Sequence, residues 1–205
     1  MKHEYWFPVV YMFVVTAFFS SVLIGFSRLT RDRVEANERV MFERAVLQAF
    51  PDIEVPPTPQ INERFTGLFE MTDEAAGAYV YRKDGHIAGY AVPVAGQGFW
   101  APIRGIVGVS EDLTTIRGVS FYEQAETPGL GARIEESDFR EQFEGLRIGD
   151  LPRPVGIRPT TVTLDDNEVH AITGATQTCV RLERLINNDL SEWLAVMNRQ
   201  GVDDE

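Results

Sequence analysis

The chain has 205 residues and a formal net charge of −12, so it is long enough for one membrane anchor and one domain with its own core. An acidic surface argues against nucleic acid as a partner and against broad binding to anionic lipid. The single cysteine, Cys179, excludes an internal disulfide and a cysteine-built metal site, and the three histidines lack ligand spacing.

The N-terminal stretch of residues 5–27 carries no charged residue and is rich in Phe, Val and Tyr. It is long enough to cross a bilayer as a helix. A cleaved signal peptide is the alternative, but the apolar run is long and no Ala-x-Ala site follows it. We therefore expect a retained anchor over residues 1–29. The arginines at 28, 31 and 33 follow the span, and their count alone would place the remaining chain in the cytoplasm.

Residues 30–60 are predicted to form a helix and then a proline-rich linker. Apolar positions recur between charged ones over residues 30–50, and four prolines between Pro51 and Pro59 then interrupt the chain. The folded domain is expected over residues 61–205.

The next segments predict an antiparallel sheet. Residues 78–82 and 86–94 read as strands joined by the strong turn signal Asp84-Gly85. Residues 103–110 and 115–122 read as two more strands. The bulky residues Trp100, Phe121 and Tyr122 lie in this region, and they either contact a ligand or belong to the core.

A glycine-bearing loop, ETPGLG, follows the last of these strands. Pro128 fixes one backbone angle, while Gly129 and Gly131 permit a sharp turn and the close approach of a ligand. Further along, residues 135–143 predict a short helix and residues 152–157 a connector. Residues 160–164 and 169–172 predict a last hairpin.

The stretch from residue 169 to 190 opens like a strand, passes through the turn Thr173-Gly174-Ala175-Thr176 and continues as a helix. One face of this helix is apolar at three- and four-residue spacing. The apolar positions are Leu182, Leu185, Ile186, Leu190, Trp193, Leu194 and Met197. Free N–H groups and the positive end of the helix dipole favour a phosphate at the helix start.

Together, ETPGLG and TGAT behind one membrane span resemble the FMN-binding subunits of two related membrane complexes. One is the Rnf-type ion-translocating ferredoxin:NAD oxidoreductase, and the other is the sodium-translocating NADH:quinone oxidoreductase. In that family a flavin transferase attaches FMN through its phosphate to the last Thr of the motif Asp-x-x-Ser/Thr-Gly-Ala-Thr. The resemblance implies that Thr176 is the attachment residue and that His170 stands at the position of the motif's Asp.

The resemblance also implies the remaining cofactor-binding residues. They are Thr173, Gly174 and Ala175 in the turn, and Glu126, Thr127, Gly129, Leu130 and Gly131 in the loop. No Ser–His–Asp, Cys–His or paired-carboxylate set is visible, so the chain reads as a redox carrier without its own substrate site. Cys179 is expected to be a small buried helix residue.

The expected fold is α+β: one N-terminal transmembrane helix, then a small antiparallel-sheet FMN-binding domain with a C-terminal helix. The expected role is electron transfer within an Rnf-type ion-translocating complex, with membrane and iron–sulfur subunits, a flavin transferase and membrane lipid as partners. The resemblance places the flavin domain on the periplasmic or outer side of the inner membrane. The alternatives are the same role in a sodium-translocating NADH:quinone reductase, a flavoprotein of a separate respiratory or sensory system, and a flavin-free anchored assembly module.

Overall fold

The computed structural model describes residues 6–72 and 75–203, so the first five residues of the predicted anchor and the last two of the chain lie outside it. The chain divides into two compact units, Met1–Val40 and Met41–Glu205. Helix α1 (Trp6–Gln48) contributes to both. In the first unit its side chains are mostly exposed, including large apolar ones such as Phe13 and Phe26. By length and composition this helix is able to cross a membrane.

An antiparallel sheet forms the centre of the second unit. In spatial and chain order its five strands are β1 (Phe69–Met71), β2 (Tyr79–Lys83), β3 (His86–Gln97), β4 (Pro102–Val109) and β5 (Ile116–Glu123). The predicted Asp84-Gly85 turn is confirmed, and both of its residues have positive φ, at 53° and 83°. That conformation matches the right-handed twist of the flanking strands. The four strands predicted from residue 78 to 122 are thus confirmed.

The two faces of the sheet are covered by different elements. Val80 points into the core formed with the C-terminal helix α4 (Thr176–Asp203), whose buried positions include Leu182, Ile186 and Leu190. Neighbouring strand residues point to opposite faces, and Tyr81 packs with a ring separation of 4.9 Å on Phe50, just beyond the end of α1. The predicted antiparallel sheet and C-terminal helix are therefore confirmed.

Two short elements that the sequence did not predict precede the sheet. Helix α2 (Ile61–Leu68) follows a single 3-10 turn, and it leads directly into β1. Phe65 on α2 stacks on Phe69 of β1, with 5.7 Å between ring centroids. This aromatic contact holds the short edge strand beside the helix that introduces it.

The predicted last hairpin is wrong. Strand β6 (Gly156–Arg158) lies in the region predicted as a connector, and it pairs in parallel with β7 (Glu168–His170). The cause lies in side chains distant along the chain: the Arg158 guanidinium donates to Glu168 (2.5 Å) and to Glu183 of α4 (2.8 Å). These bonds hold β6 against both β7 and α4, whereas residues 160–164 form only a turn and irregular backbone.

The helix predicted over residues 135–143 is broken into three short pieces. A 3-10 turn (Gly131–Glu135) is followed by helix α3 (Ser137–Arg140) and a second 3-10 turn (Glu141–Phe143). Glu136 between the first two is extended, with φ −70° and ψ 146°. The segment nevertheless presents an apolar face, because Phe139 and Phe143 are both buried and their rings meet edge to face at 5.4 Å.

Candidate functional site

The TGAT turn joins β7 to α4. The Ala175 N–H donates to the Ile172 carbonyl at 3.0 Å, and Gly174 lies at the third position of this four-residue turn with a φ of +84°. A turn of this kind needs positive φ at that position, which glycine supplies without strain. Ala175 is buried, so the turn is held on the core, while Thr173, Gly174 and Thr176 face solvent.

Thr176 is the first residue of α4 and is exposed. At this position its hydroxyl lies beside the free backbone N–H groups of the first helical turn. Cys179, three residues later, is buried, and its Sγ accepts a hydrogen bond from the Ile172 N–H at 3.4 Å. Burial raises the pKa of the Cys179 thiol, against a smaller lowering by that hydrogen bond. Cys179 is therefore a small buried residue of the helix, as the sequence predicted.

The ETPGLG loop contains a second turn of the same construction. The Leu130 N–H donates to the Thr127 carbonyl at 3.1 Å, and Gly129 at the third position has a φ of +73°. Pro128 precedes it, as the second position of such a turn favours. Thr127, Gly129 and Leu130 are exposed, whereas Glu126 and Gly131 on either side of the turn are buried.

The carboxylate of Glu126 connects the loop to the helix start. It is only 5% exposed; its Oε2 accepts a hydrogen bond from the Thr178 hydroxyl at 2.7 Å, and its Oε1 accepts one from the Trp100 N–H at 2.9 Å. One side chain thus holds three segments far apart in sequence: the bend at 98–101, the ETPGLG loop and the first turn of α4. We refer to these hydrogen bonds as the Glu126 bridge.

Glycine is required on both sides of the Glu126 bridge. A Cβ on Gly98 would lie 2.6 Å from Glu126 Oε1, and one on Gly131 would lie 2.5 Å from the Thr178 hydroxyl oxygen. Both distances are too short for real contacts. The last glycine of ETPGLG is therefore needed so that Thr178 can reach the buried carboxylate.

The two motifs meet through Leu130 and Gly174. A Cβ on Gly174 would lie 3.0 Å from Leu130 Cδ2, so the leucine side chain lies directly against the TGAT turn. Leu130 is 42% exposed, and the bend joined through the Glu126 bridge presents Phe99 (42% exposed) and Trp100 (66% exposed). The predicted loop and turn thus form one surface with exposed apolar side chains.

A cleft of about 260 Å³ opens on another side of Thr176. Its lining is mainly apolar and includes Pro159, Ala171 and Val180, together with Thr173 and Thr176. Val180 follows Thr176 by four residues and so lies on the same face of α4. A group attached at Thr176 could reach either this cleft or the surface around Leu130.

Two of the bulky residues near the motifs belong to the interior. Phe121 is buried in the core shared with α4, and Tyr122 packs edge to face on Phe42 at 5.6 Å. Trp100 is the third, and it lies beside the motif loop. His170 has a buried Nδ1 without a hydrogen-bond partner among the described residues, while its backbone N–H donates to Gln142 Oε1 at 2.9 Å.

No sequence signal pointed to the role of Gly98 or to the pairing of Glu126 with Thr178. In the sequence, Thr178 is one of three threonines near the start of α4, and nothing distinguishes it from the other two. Its partner lies 52 residues away, and local patterns cannot specify such a contact. No group of three or more potential metal-ligating side chains occurs within residues 6–72 and 75–203.

Comparison with known proteins bears on both motif segments. Residues 98–191 match the family model described as FMN-binding domain. The NqrC subunit of the Na⁺-translocating NADH-quinone reductase of Chlamydia pneumoniae is 33% identical over 147 residues, which is 62% of this chain and 46% of that protein. The corresponding subunit of Pasteurella multocida is 31% identical, over 58% of this chain and 45% of that protein. The chain spans about half the length of the curated relatives it matches.

Two solved structures share the fold. The NqrC subunit of the Na⁺-translocating NADH-quinone reductase from Parabacteroides distasonis superposes with a TM-score of 0.68 at 22% identity, covering 80% of this chain and 95% of that one. Shewanella oneidensis NqrC gives a TM-score of 0.66 at 19% identity, covering 82% and 99%. The chain therefore has the fold of these NqrC structures, and its residues 98–191, which carry both ETPGLG and TGAT, match the FMN-binding domain model.

Proposed function

We propose that the protein is an electron-transfer subunit that carries FMN attached through its phosphate to Thr176, within a membrane-bound ion-translocating oxidoreductase. The observation that carries the proposal is the position of Thr176. It is an exposed hydroxyl at the first residue of α4, on a turn fixed to the core and next to the ETPGLG loop.

The residues present fit such a group. A phosphate at Thr176 would lie at the positive end of the α4 dipole and near unpaired N–H groups. Leu130 is exposed against the turn, and Trp100 is exposed in the bend that the Glu126 bridge holds; both offer apolar surface to a flat ring. Because Gly174 has no side chain, Leu130 lies directly against the turn.

Each part of the site has a separate task. Thr176 supplies the oxygen of the phosphoester, and Thr173, Gly174 and Ala175 form the turn that presents it. Glu126 fixes the loop on α4, and the 127–130 turn presents Leu130. Bound FMN would supply the redox chemistry by accepting and releasing electrons, and the protein's part is to position it and adjust its potential.

The curated relatives favour one type of complex. Those from Chlamydia pneumoniae and Pasteurella multocida are both subunits of a Na⁺-translocating NADH-quinone reductase, which supports that type. An Rnf-type ferredoxin:NAD oxidoreductase is the second candidate, because ETPGLG and TGAT also resemble the FMN-binding subunit of that complex. The subunits that copurify with the tagged chain, and whether the complex reduces quinone or oxidises ferredoxin, distinguish the two.

The N-terminal helix supports a membrane location for this subunit. We propose that α1 is the single anchor, that membrane lipid and the other subunits of the complex surround it, and that the flavin domain lies on the outer side of the inner membrane. Maturation would then need a flavin transferase on that same side.

The test is replacement of Thr176 by valine, and Thr161, an exposed threonine outside both motifs, provides the matched control. In cells that express a flavin transferase, Thr176→Val should abolish flavin fluorescence that survives denaturing gel electrophoresis, because the attachment oxygen is absent. Thr161→Val removes an exposed hydroxyl away from the motifs and should keep the label. Both substitutions should alter the free energy of unfolding by less than about 0.5 kcal/mol, since they are at the surface.

Intact mass of the wild type, expressed with and without the transferase, completes the test. A gain in mass that corresponds to FMN supports the carrier role. A wild-type chain that gains no mass and shows no visible absorbance would instead support the flavin-free assembly module. Persistent covalent label in Thr176→Val would assign the attachment to another residue.

A further inference from the structure

Arg181 occupies an unusual position beside the candidate site. Its guanidinium carbon lies 5.8 Å from the centre of the exposed Phe99 ring, within the range of a cation–π contact. It follows Thr176 by five residues, which is a rise of about 7.5 Å along α4. The residue is half-buried, and the bend that carries Phe99 is the segment held by the Glu126 bridge.

The charge of Arg181 has no counterpart in the structure. Its Nε is buried and has no hydrogen-bond partner, and the residue takes part in no ion pair among residues 6–72 and 75–203. This is notable in a chain with a net charge of −12. The half-buried Arg158, for comparison, pairs with both Glu168 and Glu183.

Glu126 of the ETPGLG loop, the acid that holds the neighbouring bend, already has a hydrogen-bond donor at each carboxylate oxygen. Glu126 accepts from the Trp100 N–H at one carboxylate oxygen and from the Thr178 hydroxyl at the other. A buried N–H on a cationic group costs free energy when it has no acceptor. The arrangement therefore leaves a fixed cation that an anion from outside the chain would satisfy.

We propose that Arg181 is a positioning residue that donates to an anionic oxygen of the FMN attached at Thr176. This inference rests on the proposed function. Val180 faces the cleft beside Thr176, and Arg181 is turned about 100° further around the helix, toward Phe99. The anionic oxygen has two possible sources in the same molecule: the phosphate, and the pyrimidine edge of the reduced ring.

The two sources differ in what Arg181 stabilises. Uptake of two electrons and one proton by the oxidised ring leaves one negative charge on its pyrimidine side. A cation there favours the reduced form and raises the midpoint potential. A cation at the phosphate acts equally on both redox forms, and it changes the phosphorus environment without changing the potential.

The experiment compares full-length protein, flavinylated in cells, as wild type, Arg181→Gln, Arg181→Lys and Arg184→Gln. Arg184 is an exposed arginine on the same helix and serves as the matched control. Each is titrated with dithionite while the flavin absorbance is followed, at several pH values and two salt concentrations. The ³¹P resonance of the phosphoester is recorded on the same samples.

For the ring source, Arg181→Gln should shift the reduction equilibrium about tenfold toward the oxidised form, which is about 30 mV for a two-electron couple. The pH slope of the potential should also steepen, because the reduced ring would hold its second proton more tightly. Arg181→Lys should recover most of the difference, and Arg184→Gln should titrate like wild type. For the phosphate source, Arg181→Gln should move the ³¹P resonance and leave the potential unchanged.

Flavinylated Arg181→Gln with both the potential and the ³¹P resonance of wild type would overturn the inference. If that variant does not accumulate as folded protein, Arg181→Met keeps an apolar stem of similar length and gives the same comparison. Failure of the proposed function is a separate result, because the wild type would then carry no FMN.

Discussion

Glu126 holds together the three segments of the candidate site, although it is not itself part of their exposed surface. Its carboxylate is buried, yet its two oxygens tie the Trp100 backbone and the Thr178 hydroxyl together across the base of the exposed surface. A buried acceptor left without donors costs about 1–3 kcal/mol, so the three segments it joins are held in place cooperatively. The motif loop is therefore positioned by its first residue and presents its fifth, Leu130.

Leu130 and Val180 mark the two surfaces within reach of Thr176, and substitution of each tests where the ring lies. With FMN attached at Thr176 as proposed, Leu130→Ala should keep the covalent label, because the proposed bond is at the phosphate, but should shift the flavin potential by up to about 30 mV, a tenfold change in a two-electron equilibrium. Val180→Ala, in the cleft, removes a similar exposed apolar group and should leave the potential unchanged. Redox titration of both variants, each loaded with flavin, distinguishes the two surfaces. A shift of the potential in Val180→Ala alone would place the ring in the cleft.

At the scale of elements, the sequence predicted what is encoded locally. Strands β2 and β3 pair across the Asp84-Gly85 turn, and the apolar spacing of α4 marks its buried face. The parallel pair of β6 and β7 escaped prediction because each strand has three residues, and because Arg158 of β6 pairs with Glu168 of β7 and with the distant Glu183 of α4. The same holds for the candidate site: both turns could be predicted from the sequence, whereas the Glu126 bridge between them could not.

Ala49, the first residue after α1, lies against the sheet because Gly108 has no side chain. A Cβ at this position in β4 would lie 2.5 Å from the carbonyl oxygen of Ala49, a backbone atom that cannot rotate away. Gly108→Ala should therefore lower the free energy of unfolding by about 1–3 kcal/mol. Gly67→Ala in α2 is the control: no atom lies within 4 Å of its Cβ, and the helix should gain about 0.5–1 kcal/mol.

Denaturant unfolding of both variants, followed by circular dichroism, measures the difference. Equal stability of the two proteins would mean that the chain around Ala49 does not lie against β4. A loss confined to Gly108→Ala would support the packing of this segment on the sheet face opposite α4.

At the scale of the whole molecule, two signals favour opposite sides of the membrane for the flavin domain. Three arginines just after the apolar run favour the cytoplasm, and the family resemblance favours the outer side. Alkaline phosphatase fused after Glu205 should be active in a bacterial host, because its disulfides form only outside the cytoplasm. A green fluorescent protein fusion at the same point should be dark. The reverse pair of results, with both fusions stably expressed, would place the flavin domain in the cytoplasm.

The position of Thr176 at the start of α4 also determines when the proposed attachment residue is held in its native turn during synthesis. The turn that presents it is anchored by Ala175 and by the buried face of a helix that extends past Leu194. A ribosome that has just translated Thr176 has therefore not yet supplied the residues that hold it in place. The proposed flavin transferase would therefore meet Thr176 in its native turn only after α4 has docked, and a chain that stalls or misfolds earlier would not present the proposed attachment site.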